Sequence, residues 1–246
     1  MFLLCIVALL LLSFSGCTAK DKVATIPTPS QVTPTEAPSN TPSQKATIEP
    51  VATSTDEKGS PEIAVPDEAY ADPISYSGNK PTVVDGISLG DWLYRATLTY
   101  SGDKYVMAYD IVEGKKDLAV TSIGEFNGSF LLAGNKTHSV EIEAEGQWEL
   151  VISPIQIIDT MNFSGSGYAV SELVIGDDSL SGVYTLEHKG TGSFLVMLYA
   201  SGQSPKLVAS KIGEYSGETQ LTFKKGRTYI WSVRASDGDW EITKVR

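Results

Sequence analysis

Few residues in this 246-residue chain could do chemistry on their own. There are two histidines, His138 and His188, two cysteines, Cys5 and Cys17, and four tryptophans. Both cysteines lie in the leader, far from either histidine and without C-x-x-C spacing, so no structural zinc, haem-attachment or iron–sulfur motif is formed. No phosphate-binding loop, zinc-protease helix or nucleophile elbow is present. The two histidines sit at non-equivalent positions and no Ser lies in a strand-turn-helix context, so a Ser-His-Asp triad does not assemble well. A pair of carboxylates could still hydrolyse a glycosidic bond, which keeps a carboxylate-based glycosidase as the second alternative. Thirty Asp and Glu against nineteen Lys and Arg give a net charge of -11 and leave no basic surplus to neutralise phosphates, so no nucleic-acid partner is expected. The expectation is a protein that is not an enzyme and carries no cofactor.

The residues suited to binding are aromatic. Trp148 and Trp240 each follow a Gly-x pair in matching contexts and read as repeated core residues, and Trp231 falls on the inward set of its strand. Trp92, in SLGDWLY, is left as the exposed one, suited to stacking a sugar ring. Two segments are apolar on both faces. Tyr105, Met107 and Tyr109 oppose Val106 and Ala108, and Leu195, Met197 and Tyr199 oppose Phe194, Val196 and Leu198. A sandwich strand needs one apolar face, so the second face calls for a neighbouring module, a partner or cross-strand pairing. The candidate binding residues are therefore Trp92, Tyr105, Tyr109, Leu195 and Tyr199. Asp177 and Asp178 are weak candidates for a Ca²⁺ site, with a plain turn favoured. Glu141, Glu143 and Glu145 read as a solvated outer face, and the two histidines as packed or edge residues.

Positioning these residues falls to strands. Runs of five to eight residues rich in Val, Ile, Tyr, Thr and Leu are punctuated by Gly, Asn and Asp. Val140, Ile142 and Ala144 alternate with Glu141 and Glu143. The pattern occurs twice. IGEFNG at 123–128 matches IGEYSG at 212–217, Gly146-Gln147-Trp148-Glu149 matches Gly238-Asp239-Trp240-Glu241, and Tyr76-Ser77-Gly78 matches Phe163-Ser164-Gly165. At an offset of 90, Tyr94 matches Tyr184 and Met107 matches Met197, which puts His188 where the first copy has Leu98 and Phe194 where it has Lys104. The expected fold is all-β: two tandem β-sandwich or jelly-roll-like modules of about seven strands each, at 74–157 and 158–246.

Ahead of them, residues 2–12 form an unbroken apolar run, too short to span a bilayer as a helix. It fits a signal peptide over 1–16. Residues 17–73 hold nine of the twelve prolines, and Thr, Ser, Ala and acidic residues fill most of the rest. Such a segment cannot bury enough apolar area to order itself and reads as a disordered tether. Its reach is about 170 Å extended or about 40 Å as a coil.

Ser15-Gly16 before Cys17 resembles the lipobox of prokaryotic lipoproteins, though Phe14 stands where Leu is usual and no basic residue precedes the apolar run. The resemblance implies lipidation of Cys17 and a lipid-anchored (palmitate-bearing) protein on the extracytoplasmic face of the membrane. Over 74–246, FSGSG, GVY, EHKGTGSF, IGEYSG and GRTYIWSVRASDGDW resemble an all-β repeat of uncharacterised secreted proteins and lipoproteins. That likeness implies fold and address but no activity. The function expected is non-catalytic binding or adhesion to an envelope glycan or protein partner, with a ligand-free spacer lipoprotein as the first alternative.

Overall fold

The computed structural model of the chain describes residues 67–246. The expected signal peptide, Cys17 and nearly all of the expected tether lie outside the described residues. The last part of that tether is not open linker: Asp67–Tyr70 is a 3-10 turn, Ala69 is buried, and its carbonyl accepts from Gln156 Nε2 at 2.8 Å.

The rest is almost entirely strand. The first module holds β1 (Ile74–Gly78), β2 (Thr82–Ser88), β3 (Leu93–Ser101), β4 (Tyr105–Val112), β5 (Lys115–Ile123), β6 (Phe126–Ala133), β7 (Thr137–Ala144) and β8 (Gln147–Pro154). Adjacent strands pair antiparallel in the orders β1-β8-β3-β6 and β2-β7-β4-β5. These orders nest one hairpin inside another, β4 with β5 innermost and β1 with β8 outermost, which is the rolled-up double sheet of a jelly roll. The innermost turn, Glu113-Gly114, has positive φ at both positions (53° and 78°), the left-handed pair that a two-residue hairpin needs.

The second module repeats this scheme with β9 (Ile157–Ile158), β10 (Phe163–Val170), β11 (Leu173–Ile175), β12 (Gly182–His188), β13 (Ser193–Ala200), β14 (Lys206–Ile212), β15 (Tyr215–Leu221) and β16 (Thr228–Lys244). The 17-residue β16 replaces both β7 and β8: its first half pairs β13 and its second half pairs β12. Short β9 pairs with β11, so the second module's sheet begins at Ile157. Each module thus has eight strands, not seven.

Alternation places one face of each strand in a core. Val140, Ile142, Ala144, Trp148, Leu150 and Ile152 fill the first, and Trp231, Val233, Ala235, Trp240 and Ile242 fill the second. Glu141 and Glu143 lie on the opposite face, paired with Lys116, and Glu145 pairs with Lys104.

The register corrects the sequence alignment of the two copies. Trp148 faces Gly78 and Tyr100, and Trp240 faces Gly165 and His188. His188 therefore stands where the first module has Tyr100, not Leu98, and Leu98 corresponds to Leu186. By the same pairing Val106 corresponds to Phe194, and Tyr109, just past a bulge after Ala108, to Met197, just past the equivalent bulge after Val196. The match of Tyr94 with Tyr184 and of Met107 with Met197 is two residues out. Side chains alternate with period 2, so such a slip keeps every residue on its correct face and the in-out pattern cannot reveal it.

The modules stack head to tail. The outer face of β3 and β6 packs on the outer face of β10, β11 and β16, with Ile155, Val170, Leu173 and Ile230 buried between them. Arg95 clamps this seam: Nε donates to Val170 O at 3.0 Å, and Nη2 donates to Glu172 at 2.8 Å, whose other oxygen accepts from Gln156 N. Tyr168 packs edge-on against Phe126 at 5.6 Å. Arg95→Ala removes both contacts and is expected to cost about 1–3 kcal/mol, because Glu172 and the Val170 carbonyl lose a partner. Urea unfolding with the midpoint and slope compared against wild type measures it, and an unchanged midpoint would mean that the clamp holds nothing.

Candidate ligand crevice between the modules

The seam does not close along its whole length. At one end it opens into a crevice of about 570 Å³, its walls formed by Trp92, Leu93 and Leu131 of the first module and Leu173, Tyr199 and Ile230 of the second. Asp91, Ser201 and Thr228 add a carboxylate and two hydroxyls. The indole N–H of Trp92 donates to Ile155 O at 2.7 Å, which fixes the ring at the joint between the modules. Tyr199 occupies its place because it lies on the outer side of β13, opposite Ile230 across the ladder. Crevices of this kind, mostly apolar with a few convergent polar groups, are the usual form of a ligand site.

Two of the five candidate binding residues, Trp92 and Tyr199, are thus brought together from different modules. The other three are elsewhere. Tyr105 is 49% exposed at the far end of β4, beside Ile123. Tyr109 lies under Lys116, whose Nζ is 3.8 Å from the ring centroid. Leu195 is half-buried opposite Arg234. The doubly apolar strand therefore has two explanations: in β13 the second face meets the neighbouring module through Tyr199, and in β4 it is covered by its own sheet's charged side chains. The remaining tryptophans are buried, Trp148 and Trp231 at 1% and Trp240 at 2% exposure.

Asp177 is committed to capping the 3-10 turn Asp178–Leu180: its carboxylate accepts from Ser179 N at 2.6 Å and Leu180 N at 3.3 Å. The Ser179 hydroxyl, with those backbone bonds, favours the charged carboxylate and holds it below its ordinary range. Among the described residues no group of three or more metal-ligating side chains comes together. A second hollow, about 480 Å³, lies on the outer face of β10, β12 and β16 and is lined by Glu187, Lys189, Asp239 and Glu241. Its one aromatic, Trp240, is buried beneath it and offers little stacking face.

His188 is buried, stacks on Phe194 at 4.8 Å, and faces Gly213 O and Asp237 O through its two ring nitrogens. His138, buried in β7, contacts Asp110 and the Ala133 carbonyl. Reading each strand singly missed the His138–Asp110 pair. The signal was an Asp and a His at inward positions of two strands that the hairpin nesting makes neighbours.

No family model matches the chain, and no curated protein matches it. Among solved structures, one similar chain is a conserved protein of unknown function from Pseudomonas aeruginosa PAO1, 11% identical, with a TM-score of 0.21 over 69% of this chain and 76% of that one. A likeness at that level carries no argument.

Proposed function

We propose that the protein is a non-catalytic binding protein of the extracytoplasmic membrane face, anchored by lipid on Cys17 and taking a neutral envelope glycan in the crevice between its modules. The crevice carries this reading. A sugar ring has apolar C–H faces and a hydroxyl edge, which suits aromatic and aliphatic walls beside Asp91, Ser201 and Thr228. The net charge of -11 disfavours polyanionic glycans. A spacer without a ligand gives no reason for an aromatic opening in an otherwise packed seam. The glycosidase alternative needs two carboxylates facing one bond, and the crevice walls supply only Asp91.

The binding half is tested by screening the Cys17→Ser chain against immobilised neutral oligosaccharides, with Trp92→Ala and Tyr199→Ala alongside. Capture that each variant weakens at least about tenfold, on the order of 1.4 kcal/mol, supports it. Absence of capture, or capture that both variants retain, contradicts it. The anchoring half is tested by cell fractionation. Cys17→Ala should move the protein out of the membrane fraction or stall its processing, because acyl chains supply about 0.8 kcal/mol of membrane affinity per buried methylene. Normal processing with unchanged membrane association would overturn it.

A further inference from the structure

We propose that His138 is a proton-operated latch on the crevice: its doubly protonated ring holds the turn between β6 and β7 against the Trp92 loop, and its neutral ring releases it. The inference rests on the reading of the crevice as the binding site and assigns a regulation to it.

The geometry of the ring is the first observation. Nδ1 lies 2.7 Å from Asp110 Oδ1, and Nε2 lies 2.7 Å from Ala133 O. Both partners are acceptors when Asp110 is ionised. A neutral imidazole has one N–H and one lone pair, so it can satisfy only one of them and sets its lone pair against the other oxygen. The ring is 1% exposed, which leaves no room for water to mediate.

The second observation is what the Ala133 carbonyl belongs to. Ala133 and Gly134 line the crevice. The next residue, Asn135, donates its N–H to Gly90 O at 2.8 Å, and the same carbonyl accepts Trp92 N at 2.8 Å. A Cβ on Gly134 would lie 1.7 Å from the Trp92 carbonyl, so turn and loop are in direct backbone contact. A change at His138 Nε2 therefore reaches Trp92 through one carbonyl and one shared acceptor.

The charges around the ring favour the protonated form. From β4 it meets Asp110. From the turn it meets Lys136, which is itself paired with Glu113 at 2.7 Å. From β2 its ladder partner is Ile87, and that strand's carboxylate, Asp85, is taken by Ser139. Burial is the largest single influence and opposes protonation. The Asp110 hydrogen bond, the Ala133 carbonyl and the Asp110 charge together outweigh it and the weaker repulsion from Lys136, and hold the ring above its ordinary value of 6.5. The sign follows. The stabilisation is fully present below the ordinary value and is lost as pH rises through the folded-state value. The latch is closed in mildly acidic surroundings and opens on the alkaline side.

The test is an NMR titration of the ¹⁵N-labelled full chain from about pH 5 to about pH 9, without ligand. It reads the His138 ring nitrogens, the Trp92 indole N–H and the Gly134 amide. The expected result is one midpoint above 6.5, shared by all three. In Asp110→Asn the side-chain amide can donate to a neutral Nδ1 while Nε2–H keeps Ala133, so the Trp92 and Gly134 signals should stay flat through that midpoint. If that variant does not fold, His138→Tyr serves instead. Tyr229 occupies the corresponding place in the second module, where its hydroxyl accepts from Lys224 N at 2.8 Å, and the same flat response is expected. A ring that stays neutral, or one that titrates while Trp92 and Gly134 do not move, overturns the latch. The readout needs no ligand, so its failure leaves crevice binding standing, and a crevice that binds nothing leaves the titration unchanged.

Discussion

Trp148→Ala and Trp240→Ala should each cost about 3–5 kcal/mol, the largest losses expected of single substitutions in either module. Both indoles are buried, and both lie across the ladder from a glycine, Gly78 or Gly165, that leaves room for the ring. A Cβ on Gly78 would sit 2.5 Å from the Trp148 ring and one on Gly165 would sit 3.0 Å from the Trp240 ring. Each indole N–H donates to a carbonyl, Lys80 O at 3.0 Å or Gly167 O at 3.1 Å. Truncation therefore opens a large cavity and strands an acceptor. Two-probe denaturant melts of the two variants would show whether each module loses its own stability. Equal, small shifts in both would mean that the tryptophans are not the cores' main fillers.

Ile230→Asp is expected to uncouple the modules while each keeps its own core. Ile230 is 1% exposed in the cluster that joins them and belongs to neither sandwich interior. The change removes the burial of an Ile and forces a carboxylate into an apolar seam, a cost on the order of 3 kcal/mol. Calorimetry should resolve two transitions where wild type shows one. A single transition at the wild-type temperature would indicate that the seam contributes no coupling.

The seam chemistry is not repeated on the free ends of the stack. The residues of the second module that correspond to Arg95, Ser129 and Leu131 are Val183, Glu218 and Gln220, by the ladder pairs Arg95–Leu131 against Val183–Gln220 and Thr97–Ser129 against Thr185–Glu218. On the other free face Ser139 takes the place of Ile230. A head-to-tail contact can in principle extend into a filament. Here Leu131 is exchanged for Gln220 on one outward face and Ile230 for Ser139 on the other, and the Arg95 clamp is lost to Val183.

Much of this architecture was legible in the residues because a strand's inward and outward sets show directly in sequence. The alternation of Val140, Ile142 and Ala144 and the inward place of Trp231 point to the two cores, and the repeated Gly-x-Trp-Glu points to a core tryptophan in each. The register of β3 against β12 was not legible, since a slip of two preserves every face, and His188 was set against Leu98 in place of Tyr100. The seam was half legible. The apolar second face of the β13 segment announced a need for cover, but the identity of the covering surface depends on how two folded modules meet, and so Tyr109 and Tyr199 looked equivalent until the stack placed only Tyr199 in it. The His138–Asp110 pair escaped because its partners are far apart in sequence and become neighbours only through the hairpin nesting.

The central claim is that the crevice between the modules is where a ligand binds, and mapping a bound glycan tests it most directly. A neutral oligosaccharide captured in the screen of immobilised oligosaccharides is titrated into the ¹⁵N-labelled chain, and the perturbed resonances are assigned. The account predicts saturable shifts at the Trp92 indole N–H and at the amides of Gly134, Ser201 and Thr228, contributed by both modules and lost in Tyr199→Ala. Shifts confined to Tyr105 and Tyr109 on β4, or to Glu187 and Glu241 beside the second hollow, would contradict it.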